Sequence, residues 1–246
     1  MVRVFSSVRA QRPLVHLITN GVTAEFCANG LLALGARAVM AEAPQEVEEV
    51  VALAQALVLN LGQLTESKVK AMVKAARRAE QLGLPIILDP VGIGASAFRR
   101  QALDEVLQVM RPKVVRGNGA EIATLAGHLC GSGVDAMNFS SEQAASDARQ
   151  VSEELGCVVA LSGPKDYVVC QEGEQWIEGG HDRMARVTGT GCLASALMGA
   201  AVTVTSPFEA AKAVYANLKL AAQEGAGAPG LGSFRTKLID HLSHWS

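Results

Sequence analysis

Cys192 stands in the run Val187-Thr188-Gly189-Thr190-Gly191-Cys192-Leu193-Ala194-Ser195-Ala196, a glycine-rich turn leading into a helix of small residues. Glycines let the backbone come close to a ligand. The exposed N–H groups where such a helix begins, backed by its dipole, favour phosphate or a developing anion. No lysine follows the second glycine, so this is not a Walker-type phosphate loop. It also comes too late in the chain, and with the wrong spacing, for a dinucleotide fingerprint. The structural alternative is a glycine turn ahead of a closely packed helix. Cys192 falls in the first turn, where the dipole lowers a thiol pKa. It either contacts a reacting hydroxyl or fills a small buried space. Gly189 and Gly191 are candidate catalytic positions with it.

Asn118 and Glu121 lie three apart at a helix start and share a face. A carboxylate there can hold Mg²⁺ directly or through water, since this ion binds through one or two carboxylates plus phosphate oxygens. Asp89, after another apolar run, can contribute. Read without a metal, the pair is an ordinary helix start. Arg116 is either a phosphate clamp or a surface cation.

The remaining titratable residues offer less. The five histidines form no cluster and read as structural or solvated. The five cysteines (Cys27, Cys130, Cys157, Cys170 and Cys192) contain no CxxC pair, which leaves zinc binding without support. Their odd number argues against a complete disulfide framework. A formal net charge of −2 gives no basic footprint for nucleic acid. No apolar run approaches the ~20 residues of a membrane span, and residues 1–13 lack the apolar core of a signal peptide. The chain reads as cytoplasmic.

The elements that must position these residues alternate. Short β-rich runs are expected as strands at 15–19, 37–41, 56–60, 85–89, 113–117 and 157–163, with an antiparallel edge pair at 167–170 and 175–179. Helices are expected at 22–34, from Pro44, and at 65–82, 97–110, 120–126, 140–155, 191–204, 207–223 and 234–244, with a loop at 131–138. This predicts an α/β fold: a mostly parallel sheet with helices on both faces, in one domain spanning residues 1–246. Asn20, Met40, Asn60-Leu61-Gly62, Asp89-Pro90-Val91-Gly92, Arg116-Gly117-Asn118 and Ser162-Gly163 all fall at strand exits. In open parallel sheets ligands bind at that rim, so the polar residues converge on one edge.

These pieces together resemble the hydroxyethylthiazole kinase family, thiamine-salvage enzymes of the ribokinase-like superfamily. The matching segments include PLVHLITN, ALVLNLGQL, GLPIILDPVGIGASAFR, VVRGNGAEIATLAG, LSGPKDYV and VTGTGCLASALMGA, in family order over residues 13–235. The resemblance implies a ribokinase-like three-layer sandwich, Mg²⁺-ATP as co-substrate, and a thiazole alcohol as acceptor. It implies that Arg116, Ser162, Asn118 and Thr188 serve ATP, that Asn20, Met40 and Gly189 line the alcohol site, and that Glu121 and Asp89 serve the metal. Residues 189–192 would form the anion hole, with Cys192, where most of the superfamily has an aspartate base, as a weak base or an orienting group. It further implies a homotrimer with alcohol sites between subunits. Gly21 departs from the aromatic often found there, and Ser162 replaces the usual threonine. The rival readings are a kinase for a pyrimidine or pyridoxal-like alcohol, and an ATP-dependent dehydratase of hydrated nicotinamide nucleotides. The dehydratase normally keeps aspartate at the position of Cys192. A non-catalytic ligand-binding relative is opposed by Glu121, Arg116 and GTGC.

Overall fold

The computed structural model describes residues 2–128 and 140–244. Helix α1 (Val2–Gln11) precedes an alternating series: β1 (Leu14–Ile18), α2 (Ala24–Leu34), β2 (Arg37–Val39), α3 (Val47–Leu53), β3 (Ala56–Asn60), α4 (Glu66–Gln81), β4 (Ile86–Asp89), α5 (Ala97–Leu107), β5 (Val114–Asn118), α6 (Gly119–Leu125), α7 (Ser141–Leu155) and β6 (Val158–Ser162). A hairpin of β7 (Asp166–Cys170) and β8 (Gly173–Ile177) follows. Helices α8 (Thr190–Ala201), α9 (Pro207–Glu224) and α10 (Leu231–His244) complete the described chain.

Among the described residues the strands form one sheet in the order β2-β1-β3-β4-β5-β6-β7-β8. Strands β1 to β6 pair in parallel and the hairpin adds an antiparallel edge. Strand side chains alternate between faces, and both faces are covered. Val58, Val114, Val158 and Ala160 point to a core built with α1, α2, α8, α9 and α10. Leu57, Leu59, Val115 and Val159 point to a second core built with α3, α4, α5, α6 and α7. Burial on both sides explains why the strands read as continuous apolar runs. The result is the expected three-layer α/β sandwich.

Local signals set most boundaries. Thr65 caps α4, its side chain accepting from Lys68 N, and Ser206 with Pro207 opens α9. The expected start at Pro44 is early by three residues: Ala43 O first accepts from Glu46 N and Val47 N, making a turn, and α3 begins at Val47. Helix α1 was not expected. Its apolar pair Phe5 and Val8 is only one turn long, too short for a periodic signal, yet both residues are buried in the first core. The loop expected at 131–138 lies outside the described residues. No helix among the described residues is long and apolar enough to cross a membrane.

Candidate active site

Parallel register sets Asn60 beside Asp89 and Asn118 beside Ser162 at the carboxyl edge of the sheet. Helix α8 is buried from Leu193 to Ala201 and meets the sheet with small residues, Gly199 against Val15 and Val58 and Ser195 against Asp89. Its first turn therefore reaches the strand ends. Asn60 Nδ2 donates to Asp89 Oδ2 (2.8 Å) and to Cys192 Sγ (3.3 Å). Asn20 Nδ2 donates to Asn60 Oδ1 (3.1 Å) and to Cys192 Sγ (3.4 Å). Ser195, one turn into α8, donates to Asp89 Oδ2 at 2.8 Å. Asp89 is fully buried; its Oδ1 accepts no hydrogen bond and faces Arg116 Nη1 across 3.7 Å.

Arg116 is not a surface cation. Its Nη2 donates to Ser162 Oγ at 2.6 Å, and its guanidinium lies against Gly191, where an added Cβ would sit 2.3 Å from Nη1. Two residues earlier, Gly189 has φ 94°, a left-handed conformation that turns the chain sharply into α8. The first helical bond runs from Leu193 N to Gly189 O. The N–H groups of Thr190, Gly191 and Cys192 thus precede the ladder, and the N-cap Gly189 offers them no side chain.

On this side of α8 lies a cavity of about 640 Å³, bordered by Arg116, Asn118, Ser162, Thr190, Gly191 and Tyr215 among others. Thr190 borders it; the neighbouring Thr188 does not and is exposed. Several wall residues gave no sequence signal. Tyr215 reaches across from α9 to donate to Ala160 O at 2.8 Å. Lys219 donates to Gly163 O and Pro164 O, with Asp166 at 3.5 Å, and so holds the β6–β7 turn. His181, read from sequence as structural or solvated, also borders the cavity and hydrogen-bonds Arg183 N. Tyr215 and Lys219 come from α9 and His181 from the segment after β8, and only the fold gathers them.

Asn118 and Glu121 form a complete capping box. Asn118 Oδ1 accepts from Glu121 N (3.0 Å) and Glu121 Oε2 from Asn118 N (2.9 Å). Glu121 Oε1 accepts a third bond, from Gly92 N at 3.0 Å, tying α6 to the loop after β4. Both carboxylate oxygens thus serve structure, and each keeps a second lone pair. Met40 lies one residue beyond β2, half-buried against the first core. It does not border the cavity, and neither do Asn20 and Cys192. The expected residues therefore separate into two groups meeting at the start of α8: one at the ends of β1 and β3, one at the ends of β5 and β6.

Burial controls the electrostatics. It pushes the Cys192 thiol above its ordinary range, and the neighbouring Asp89 adds to this; Arg116 and the Asn20 amide pull the other way. The expected lowering by the helix N-terminus is outweighed. Burial also raises the Asp89 and Glu121 carboxyls, against the pull of Arg116. For Arg116 burial works to lower the pKa, but Tyr215, Asp89 and Glu121 more than compensate, and it stays a cation.

A buried guanidinium and uncapped helix N–H groups bordering one cavity, with the Asp89 and Glu121 carboxylates acting on that guanidinium from behind, suit a phosphorylated ligand, and comparison with known proteins agrees. The chain matches the model described as the hydroxyethylthiazole kinase family over residues 5–246. It is 45% identical to a hydroxyethylthiazole kinase of Leptothrix cholodnii, covering 96% of this chain and 87% of that protein. It superposes on the structure of a hydroxyethylthiazole kinase protein from Pyrococcus horikoshii with a TM-score of 0.90 at 40% identity, covering 98% of this chain and 92% of that one. A ribokinase-like superfamily protein from Enterococcus faecalis shares the fold at 13% identity, with a TM-score of 0.67 and coverage of 100% and 95%. With a matching family model over nearly the whole chain and close sequence and structural likeness, this protein belongs to the hydroxyethylthiazole kinase family.

Proposed function

We propose that the chain, acting as a single cytoplasmic kinase domain, transfers the γ-phosphoryl group of Mg²⁺-ATP to the primary hydroxyl of 4-methyl-5-(2-hydroxyethyl)thiazole, making its monophosphate for thiamine salvage. Family membership supports the reaction class and the alcohol. The observation that carries the reading is the position of the α8 N-terminus between two unlike surroundings. Gly191 on one face closes a cavity of nucleotide size against Arg116. Cys192, the next residue, faces the amides of Asn20 and Asn60. Donor and acceptor would then meet across one helix turn.

Phosphoryl transfer needs alignment and charge neutralisation more than covalent chemistry. Arg116, with Ser162 and Asn118 nearby, would hold the nucleotide phosphates. The N–H groups of residues 190–192 would stabilise the oxygens of the group in transit. Asn20, Met40 and Gly189 would line the alcohol site. The residues present fit a magnesium ion: Asp89 Oδ1 is buried without a hydrogen-bond partner, and Glu121 retains lone pairs beyond its backbone contacts. Glu121 and Asp89 would hold the ion, which when bound neutralises phosphate charge. Cys192 would orient the alcohol, because burial favours the neutral thiol. The family resemblance adds a homotrimer with alcohol sites between subunits.

The test is direct. Purified protein with Mg²⁺-ATP and the thiazole alcohol should yield the monophosphate, identified by mass. Phosphorylation of a pyrimidine alcohol alone would refute the substrate while keeping the kinase.

A further inference from the structure

Asn60 ends β3 and is 1% exposed. Its amide is fully used. Oδ1 accepts from Gly62 N (3.0 Å) and Asn20 Nδ2 (3.1 Å), while Nδ2 donates to Asp89 Oδ2 (2.8 Å) and Cys192 Sγ (3.3 Å). The orientation follows from chemistry. A backbone N–H can only donate, so the amide oxygen faces Gly62 and the NH₂ group faces the carboxylate and the sulfur. Asn20 repeats the pattern: Oδ1 accepts from Thr23 N (3.1 Å), and Nδ2 donates to Asn60 and to Cys192. Both amide oxygens are spent on backbone N–H groups, so the NH₂ groups turn toward Cys192, with Asn60 also reaching Asp89 and Asn20 also reaching Asn60. Two N–H groups converge on one sulfur. A residue that only filled space would not need both of its hydrogens aimed at the reacting end of the site.

We propose that Asn60 is a positioning residue for phosphoryl transfer, holding the Cys192 sulfur and the Asp89 carboxylate in one frame and, with Asn20, making position 192 a seat for a hydrogen-bond acceptor. The proposal rests on the kinase reading above. It explains how the same backbone could take a carboxylate at 192, since the two amides that meet the sulfur would also meet carboxylate oxygens.

The test is a double-mutant cycle in kcat, run with the alcohol that the wild type phosphorylates. Asn60→Ser removes both amide contacts without adding charge and should lower kcat about tenfold with KM for ATP nearly unchanged, the expected scale for a displaced reacting group. In the Cys192→Ala background the same change should cost only about threefold, because contacting residues are non-additive. Asn60→Leu fills the space with neither donors nor charge, so it should be slower than the smaller Ser variant; a shape-filling residue would give the opposite order. Equal losses in both backgrounds, an unchanged kcat, or a Leu variant faster than Ser would each overturn the proposal. A wrong alcohol corrects the substrate alone, whereas a wild type without kinase turnover defeats the kinase reading and this one together.

Discussion

At position 192 two effects act in opposite directions. The start of α8 favours a thiolate, while burial and the charge of Asp89 favour the thiol. Burial is the larger, so Cys192 should be alkylated slowly at pH 7, its rate still climbing past the ordinary thiol pKa of about 8.5, where that of a free thiol levels off, as peptide-resolved mass spectrometry would show. A general base contributes ~10²- to 10⁴-fold. A neutral orienting thiol contributes less, so Cys192→Ala should lose no more than about 10²-fold in kcat without losing turnover. Cys192→Asp should retain or improve kcat. An Ala variant equal to wild type would remove the residue from the mechanism, and an inactive, folded Asp variant would undercut the seat for an acceptor.

The helix starts carry the next predictions. In α6, Glu121 is both a cap and the proposed metal carboxylate, and Glu121→Gln separates the two in measurement. The substitution puts an NH₂ group opposite a backbone N–H, so the lost cap should cost about 1 kcal/mol of stability, read as a lower Tm. Loss of charge should independently raise the Mg²⁺ concentration needed for half-maximal rate. A variant with lower Tm and unchanged Mg²⁺ dependence would leave Glu121 a structural residue only. At the start of α8, Gly191→Ala would place a Cβ into the Arg116 guanidinium. It should raise KM for ATP with the fold intact, checked by circular dichroism and initial rates. Gly189→Val adds a left-handed backbone cost of about 1–2 kcal/mol to an overlap with Thr23 Cγ2, 2.7 Å from the added Cβ. It should therefore lower both Tm and kcat.

For the whole molecule, the prediction is assembly. The trimer proposed from the family resemblance, closed by cyclic symmetry, would put the alcohol site between neighbouring copies, so light scattering should report about three times the 25.7 kDa chain mass. A monomer with full activity would refute shared sites. Both faces of the sheet are covered within one subunit, so dissociation by dilution should leave circular dichroism largely unchanged while activity falls.

Much of this was legible before any coordinates. Apolar runs of β-branched residues, Thr65 and Ser206 as caps, and polar residues at successive strand exits carry a sandwich with a ligand rim, because local hydrogen bonding and side-chain alternation are short-range. The motifs around Asp89, Asn118, Glu121 and Cys192 pointed to the site for the same reason. Helix α1 was not legible, since one buried apolar pair makes no period. Nor were the cavity residues Tyr215, Lys219 and His181, which come from distant segments and meet only when α9 and the hairpin pack. Above all, the state of Cys192 was decided by tertiary structure: the helix dipole is written locally, but the desolvation that outweighs it, and the Asn20 and Asn60 amides that hold the sulfur, exist only once four strand ends and α8 come together.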